Sequence, residues 1–81
     1  MDEQIEMRNL SAPPDADLIT ELRDQAHERG EAVGITFPTH NGPRKRFVVS
    51  PRGTCTLLND TREETFNRSV SADEIAGKLR E

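Results

Sequence analysis

The sequence predicts an α+β domain in which a three-stranded antiparallel sheet has two helices packed on one face. The first observation is the stretch 31–58, where apolar and polar residues alternate in three short runs separated by turn-forming residues. Such alternation is typical of half-buried strands joined by hairpins. The second observation is that helix-start signals and helical apolar spacing occur on both sides of this stretch. Weaker strand patterns near both ends allow four or five strands, in the order (β)-α-β-β-β-(β)-α.

Residues 1–12 contain one of the two weaker strand patterns. Ile5 and Met7 alternate with polar residues, as they would in an edge strand of the sheet. A disordered tail is the alternative for the same residues, because chain termini are often poorly ordered.

The first helix is predicted over residues 14–29. Pro14 suits a first helical position, because the N–H group that it lacks would have no partner there. Gly30 suits the left-handed conformation that commonly follows the last turn. Apolar residues at the 3.6-residue spacing of one buried stripe support the helix, and they are Leu18, Ile19, Leu22 and Ala26.

The first two central strands are predicted over residues 32–38 and 45–50. An ideal two-residue Asn-Gly turn between them would set Phe37 opposite the polar Arg46. We therefore expect a register in which Phe37 lies beside Phe47, since a one-residue slip would turn the apolar set to water. This register predicts a longer or bulged loop at residues 39–45.

The second hairpin has a clearer turn at residues 50–53, which read Ser-Pro-Arg-Gly. Proline second and glycine last are typical of a three-residue hairpin loop with a left-handed glycine. This loop places Val49 opposite Cys55, and two residues further Phe47 opposite Leu57. The predicted inner face of the sheet then consists of Val33, Ile35, Phe37, Phe47, Val49, Cys55 and Leu57.

The second helix begins with a capping box, in which Ser71 and Glu74 each satisfy a free backbone N–H group. Val70 and Ile75 have the spacing of a hydrophobic staple across the same helix start. The polar run 59–65 before it is expected to form a turn or loop. The segment 66–70 that follows offers Phe66 and Val70 for a short fourth strand.

A length of 81 residues is enough for one small domain and too short for two. The content of 32% hydrophobic and 4% aromatic residues provides only a modest core. A single cysteine excludes an internal disulfide and a cysteine-based metal site. No apolar run reaches the length of a membrane span, and the N-terminus is acidic rather than a basic leader. We therefore expect a cytoplasmic protein.

Charge is distributed unevenly along a chain whose formal net charge is -4. Residues 31–58 are the only net-positive third. Nine of the eleven basic residues are arginine, and the two lysines are Lys45 and Lys78. An acid excess with so little lysine fits a halophilic origin, and a GC-rich genome is the alternative explanation.

No catalytic constellation is evident, because the chain has two histidines, one cysteine and no glycine-rich phosphate loop. We expect no enzymatic activity, no cofactor and no metal. Two surfaces remain as candidates for binding. The basic hairpin loop 40–46 contributes His40, Arg44, Lys45 and Arg46, and the outer face of the sheet contributes Val48 and Leu58.

These surfaces lead us to expect a small binding or regulatory module that acts through contacts with another protein or with a second copy of itself. Apolar residues on an outer sheet face favour the homodimer. The alternative is a nucleic-acid-binding domain, in which the basic loop 40–46 contacts phosphates. No membrane partner is expected.

Overall fold

The strands of this protein form a single sheet, and both helices contribute to the core on one of its faces. The computed structural model describes residues 6–39, 42–59 and 62–80. Its elements, in chain order, are β1 (Glu6–Asn9), α1 (Ala16–Arg29), β2 (Val33–Thr39), β3 (Gly42–Val49), β4 (Cys55–Leu58), β5 (Glu63–Phe66) and α2 (Ala72–Leu79). The α+β class and the two helices are confirmed, and the described strands reach the upper end of the expected number.

The sheet has the strand order β1-β2-β3-β4-β5 and is mixed. Strands β2 to β5 form an antiparallel meander, whereas β1 pairs with β2 in parallel, with Glu6 opposite Val33. The prediction of a wholly antiparallel sheet is therefore wrong at β1. The reason is α1, which carries the chain back to the end at which β1 began, as in other parallel crossovers.

Helix α1 begins two residues later than predicted. Asp15 is the N-cap, and its carboxylate accepts a hydrogen bond from the backbone N–H of Leu18 at 2.9 Å. Pro14 therefore precedes the helix, and its side chain is buried. The predicted end of the helix is confirmed, because Gly30 has a left-handed φ of 65°.

Helix α2 has the predicted N-cap. The side chain of Ser71 accepts a hydrogen bond from the backbone N–H of Glu74 at 3.2 Å. The helix buries Ile75, Ala76 and Leu79. Among the described residues, no helix is long and apolar enough to cross a membrane.

The register between β2 and β3 differs from the predicted one by two residues. Ile35, rather than Phe37, lies opposite Phe47, and Phe37 lies opposite Lys45. A shift of two residues keeps every side chain on the same face of a strand. The predicted burial of these apolar residues is therefore correct, although their predicted neighbours are wrong.

The irregularity between these strands lies within β2 and not in a loop at residues 39–45. Thr39 pairs with Gly42, and the register shifts between Phe37 and Thr39. Pro38 occupies the shift, where a residue that cannot donate a backbone hydrogen bond is tolerated. Strand β3 consequently begins at Gly42, so the described basic residues that follow belong to a strand.

The turn between β3 and β4 is confirmed in its details. The backbone N–H of Gly53 donates to Ser50 O at 3.0 Å, and the backbone N–H of Ser50 donates to Thr54 O at 2.8 Å. Gly53 has a φ of 92°, in the region that favours glycine. The loop pairs Val49 with Cys55, as predicted.

Strand β5 occupies part of the run that the sequence predicts as a loop, and it ends at Phe66 rather than extending to Val70. It starts at Glu63 and pairs with β4, so that Glu64 lies opposite Leu57 and Phe66 lies opposite Cys55. The prediction fails because β5 is an edge strand, in which only Phe66 is buried. An edge strand with three exposed residues has too little apolar alternation to be distinguished from a loop.

The core lies between the two helices and one face of the sheet. All seven residues predicted for the inner face are buried. Phe66 and apolar residues of both helices complete the cluster, which consists of Ile19, Leu22, Ala26, Val33, Ile35, Phe37, Phe47, Val49, Cys55, Leu57, Phe66, Ile75, Ala76 and Leu79.

Candidate functional site

The face of the sheet that points away from both helices is here called the outer face. It consists of the outward-pointing residues Met7, Asn9, Thr36, Arg44, Arg46, Val48, Thr56, Leu58, Glu63 and Thr65. In the described part of the chain, the helices contribute to the core on the opposite face. Met7 is 36% exposed, and the side chains of Val48 and Leu58 are half-buried. These two sequence-predicted site residues therefore lie on one surface.

A row of paired residues from all five strands crosses the outer face, and three of its members lie on β3, β4 and β5. Arg46 on β3 pairs with Leu58 on β4, and Leu58 pairs in turn with Glu63 on β5. Neighbouring strands lie about 4.8 Å apart, so that Arg46 and Glu63 are separated by about 10 Å across the sheet. An apolar residue is thus flanked by opposite charges on the uncovered side of the sheet.

Arg44 lies on the outer face, where its contacts are structural. Its Nη2 donates to Leu10 O at 2.7 Å, and to both Thr36 O and Thr36 Oγ1 at 3.2 Å. Thr36 Oγ1 donates in turn to Asn9 Oδ1 at 2.6 Å. The guanidinium group therefore connects β3 to β2 and to the segment that follows β1.

Replacing Arg44 with alanine removes its hydrogen bonds to Leu10 and Thr36 and is expected to lower the free energy of unfolding by about 1–2 kcal/mol. The loss is not larger because Arg44 is exposed to solvent, which weakens hydrogen bonds from a charged group. Urea unfolding followed by circular dichroism measures this change. Arg52→Ala is the control, since Arg52 is exposed in the β3–β4 turn and its loss should cost less than about 0.5 kcal/mol. Equal losses in the two variants would contradict the structural role of Arg44.

Lys45 points to the other side of the sheet from Arg44 and Arg46. Successive residues of a strand face opposite sides, and Lys45 lies opposite the buried Phe37. The three basic residues of the predicted loop therefore do not form one cationic surface. His40, the remaining predicted member of that loop, lies outside the described residues.

Lys45 contributes instead to an open surface pocket of about 290 Å³, here called the helix-side cavity, in which Arg62, Glu64 and Lys78 are exposed. Its lining comes from β3, β4, the β4–β5 connection, β5 and α2, and consists of Lys45, Leu57, Asn59, Arg62, Glu64 and Lys78. Sequence patterns do not indicate this site, because its three cations are far apart along the chain. The rarity of lysine is the one sequence signal that points to it, since both lysines of the protein line this cavity.

The connection between β4 and β5 positions one of these cations. The backbone N–H of Arg62 donates to Asn59 Oδ1 at 2.7 Å, and the backbone N–H of Asn59 donates to Arg62 O at 3.0 Å. This reciprocal pair holds the start of β5 against the end of β4. It therefore fixes the backbone from which Arg62 reaches the cavity.

Cys55 is a core residue, as its position in the pattern predicts. It is fully buried, and its Sγ lies 3.7 Å from Gly53 O. Burial raises the pKa of the Cys55 thiol, and the positive charge of the neighbouring Arg23 guanidinium offsets part of this rise. The sequence does not predict that Arg23 lies near Cys55, because α1 and β4 are far apart in the chain. The raised pKa favours the neutral thiol.

Comparisons with known proteins do not assign a function to these surfaces. No protein-family model matches the chain, and searches of curated proteins and of solved structures find no match. In the part of the chain that the structure describes, no group of three or more His, Cys, Asp and Glu residues could hold a metal ion. The outer face and the helix-side cavity are therefore the two candidate binding surfaces.

Proposed function

We propose that this protein is a non-catalytic interaction module that forms a homodimer through the outer face of its sheet. The observation that carries the proposal is the row Arg46, Leu58 and Glu63, in which opposite charges flank an apolar residue. Such a row is complementary to itself when it is turned by a half rotation. Two-fold dimers require this kind of self-complementary patch.

A two-fold axis that lies between the two sheets, runs parallel to the strands and passes over Leu58 satisfies the row. Leu58 of one copy then meets Leu58 of the other, while Arg46 of each copy approaches Glu63 of its partner. Face-to-face sheets pack about 10 Å apart, a distance that side chains of this length fill from both sides. The interface would bury the half-exposed apolar residue and pair both charges.

The neighbouring row of the outer face favours close packing. Val48 lies between Gly34 on β2 and Thr56 on β4, and Thr65 on β5 follows Thr56. None of these residues carries a charge, and Gly34 has no side chain. A second sheet can therefore approach this row without the cost of desolvating a charge.

The dimensions of the molecule are sufficient for such an interface. Its principal extents are 34 × 30 × 21 Å, and its accessible surface is 5738 Å². A standard interface uses about 800 Å² from each partner, which is roughly one-seventh of this surface. Five strands at about 4.8 Å spacing present a continuous face from which this area can be drawn.

Charge reversal with analytical ultracentrifugation tests the proposal. Wild-type protein is expected to sediment as a dimer, and both Leu58→Asp and Arg46→Glu are expected to shift it to monomer. Combining Arg46→Glu with Glu63→Arg should restore the dimer, because the swapped charges are again complementary. Arg52→Glu reverses one charge in the β3–β4 turn, away from the row, and should leave the dimer intact.

Two results would contradict the homodimer. One is a wild-type protein that stays monomeric at the highest soluble concentration. The other is a double reversal that remains as monomeric as Arg46→Glu alone, since this would remove the charge pairing across the two-fold axis.

Nucleic-acid binding through residues 40–46 stays an alternative prediction. It requires Arg44, Lys45 and Arg46 to reach phosphates together, whereas Arg44 is hydrogen-bonded on the outer face and Lys45 lies on the helix side. The homodimer uses residues that share one face, and we therefore favour it. A salt titration with duplex DNA and single-stranded RNA distinguishes the two proposals.

A further inference from the structure

The helix-side cavity concentrates positive charge in an acidic protein. Among the described residues, Lys45, Arg62 and Lys78 line it together with one acid, Glu64, so that the formal charge of this described lining is about +2 while the chain carries -4. Within residues 6–39, 42–59 and 62–80, no hydrogen bond or ion pair engages the side-chain nitrogens of these three cations. Like charges gathered in this way repel each other, and an anion would relieve the repulsion.

Lysine usage singles out the same site. The protein uses arginine at nine of its eleven basic positions, and its two lysines come from β3 and α2 to line one cavity. A lysine ammonium group is a compact charge that serves as a phosphate ligand, and the planar guanidinium of Arg62 can bind two phosphate oxygens at once. The three side chains therefore combine both kinds of phosphate contact.

Each cation also projects from a fixed part of the fold. Lys45 belongs to the central strand β3 and pairs with Phe37. Lys78 lies in the last turn of α2, next to the buried Leu79. Arg62 is held by its hydrogen bond to Asn59. A site built on rigid elements binds with less loss of conformational entropy than one built on a mobile loop.

We propose that the helix-side cavity binds a small phosphorylated molecule, with Lys45, Arg62 and Lys78 as ligands of its phosphate group. A phosphate monoester carries about -1.5 to -2 charges at neutral pH, which matches the charge of the lining. A single carboxylate neutralises only half of it. This site lies on the opposite side of the sheet from the proposed dimer interface, and neither proposal depends on the other.

The remaining lining limits the rest of the ligand. A cavity of about 290 Å³ lies at the small end of ligand sites, which typically hold 300–1,000 Å³. Glu64 offers acceptors for hydroxyl or amino groups, and Leu57 offers a short apolar wall. The group attached to the phosphate is therefore small and carries hydroxyl or amino groups.

Titration with inorganic phosphate at constant ionic strength, followed by ¹H–¹⁵N NMR, tests the proposal. Saturable shifts are expected at the backbone amides of the lining residues. Lys45→Gln and Lys78→Gln should each weaken binding by about tenfold, which corresponds to the loss of one charged hydrogen bond. Glu64→Gln should tighten it severalfold, because it removes the one negative charge of the lining. Arg52→Gln changes the net charge as the lysine variants do, but at the opposite end of β3, and should have no effect.

Further ligands define the chemical class. Glycerol phosphate is expected to bind more tightly than inorganic phosphate, because its hydroxyl groups can donate to Glu64, and acetate is expected to bind at least tenfold more weakly. The proposal is overturned if phosphate produces no saturable shift, if both lysine variants bind it as well as wild type, or if acetate binds equally well. Unchanged NMR spectra of the free variants outside the cavity show that the fold is kept.

Discussion

Replacing Phe47 with alanine is expected to remove roughly half of the free energy of unfolding at 25 °C. Phe47 is fully buried on the central strand β3, between Ile35 on β2 and Leu57 on β4. Truncating a buried phenylalanine costs about 3–5 kcal/mol. Native domains have about 0.05–0.15 kcal/mol of stability per residue, which gives roughly 4–12 kcal/mol for a chain of 81 residues. The middle of the first range is about half of the middle of the second, so the variant should keep roughly half of its stability. Urea unfolding followed by circular dichroism measures the loss.

A matched pair of valines on the same strand keeps this result interpretable. Val49 is fully buried, whereas its neighbour Val48 is half-buried on the outer face. Val49→Thr is expected to cost about 1–3 kcal/mol, because it buries a hydroxyl group among apolar residues. Val48→Thr should stay within about 0.5 kcal/mol at dilute, monomeric concentrations. Equal losses at the two positions would contradict the assignment of the two faces.

Replacing Gly53 with alanine is expected to destabilise the protein by about 2–3 kcal/mol, the upper part of the range for strained backbone. Gly53 has a φ of 92°, which residues with a Cβ atom rarely adopt. An added Cβ would also lie 3.1 Å from Arg68 Cβ, so that the β3–β4 turn or the segment after β5 must move. Thermal and urea unfolding of the variant measure the loss.

Two other glycines separate the backbone effect from the steric one. Gly30 has a φ of 65°, but a Cβ there would meet no atom within 4 Å, and Gly30→Ala should cost about 1–2 kcal/mol. Gly77 lies inside α2 with open space around it, and Gly77→Ala should stabilise by about 0.5–1 kcal/mol. A Gly53→Ala variant as stable as Gly30→Ala would show that the contact with Arg68 has no cost.

Alternation in the sequence predicts the faces of the strands but not the alignment between β2 and β3. Registers that differ by two residues bury the same side chains, so the pattern at Phe37 and Phe47 fits both. The observed register depends on the shift at Pro38, which lets a two-residue connection join Thr39 to Gly42. The turn that ends in Gly53 leaves no such freedom, and there the predicted register is correct.

The candidate surfaces were predictable to different degrees. Val48 and Leu58 follow from alternation alone, and the structure places both on the outer face. The helix-side cavity requires knowledge of where β5 and α2 lie relative to β3, since Lys45 and Lys78 are distant in the chain. The parallel pairing of β1 with β2 could not be predicted either, because the periodicity within one segment does not indicate which strand it pairs with or in which direction.

The parallel position of β1 has a consequence for how the protein opens and closes. The meander β2–β5 forms through consecutive short hairpins, whereas β1 and β2 join residues such as Asn9 and Thr36 that lie 27 positions apart. Closing that longer loop costs more chain entropy, and β1 contributes only four residues of ladder in return. We therefore expect the β1 edge to assemble last and to detach first, and its amide protons to exchange with solvent before those of β3.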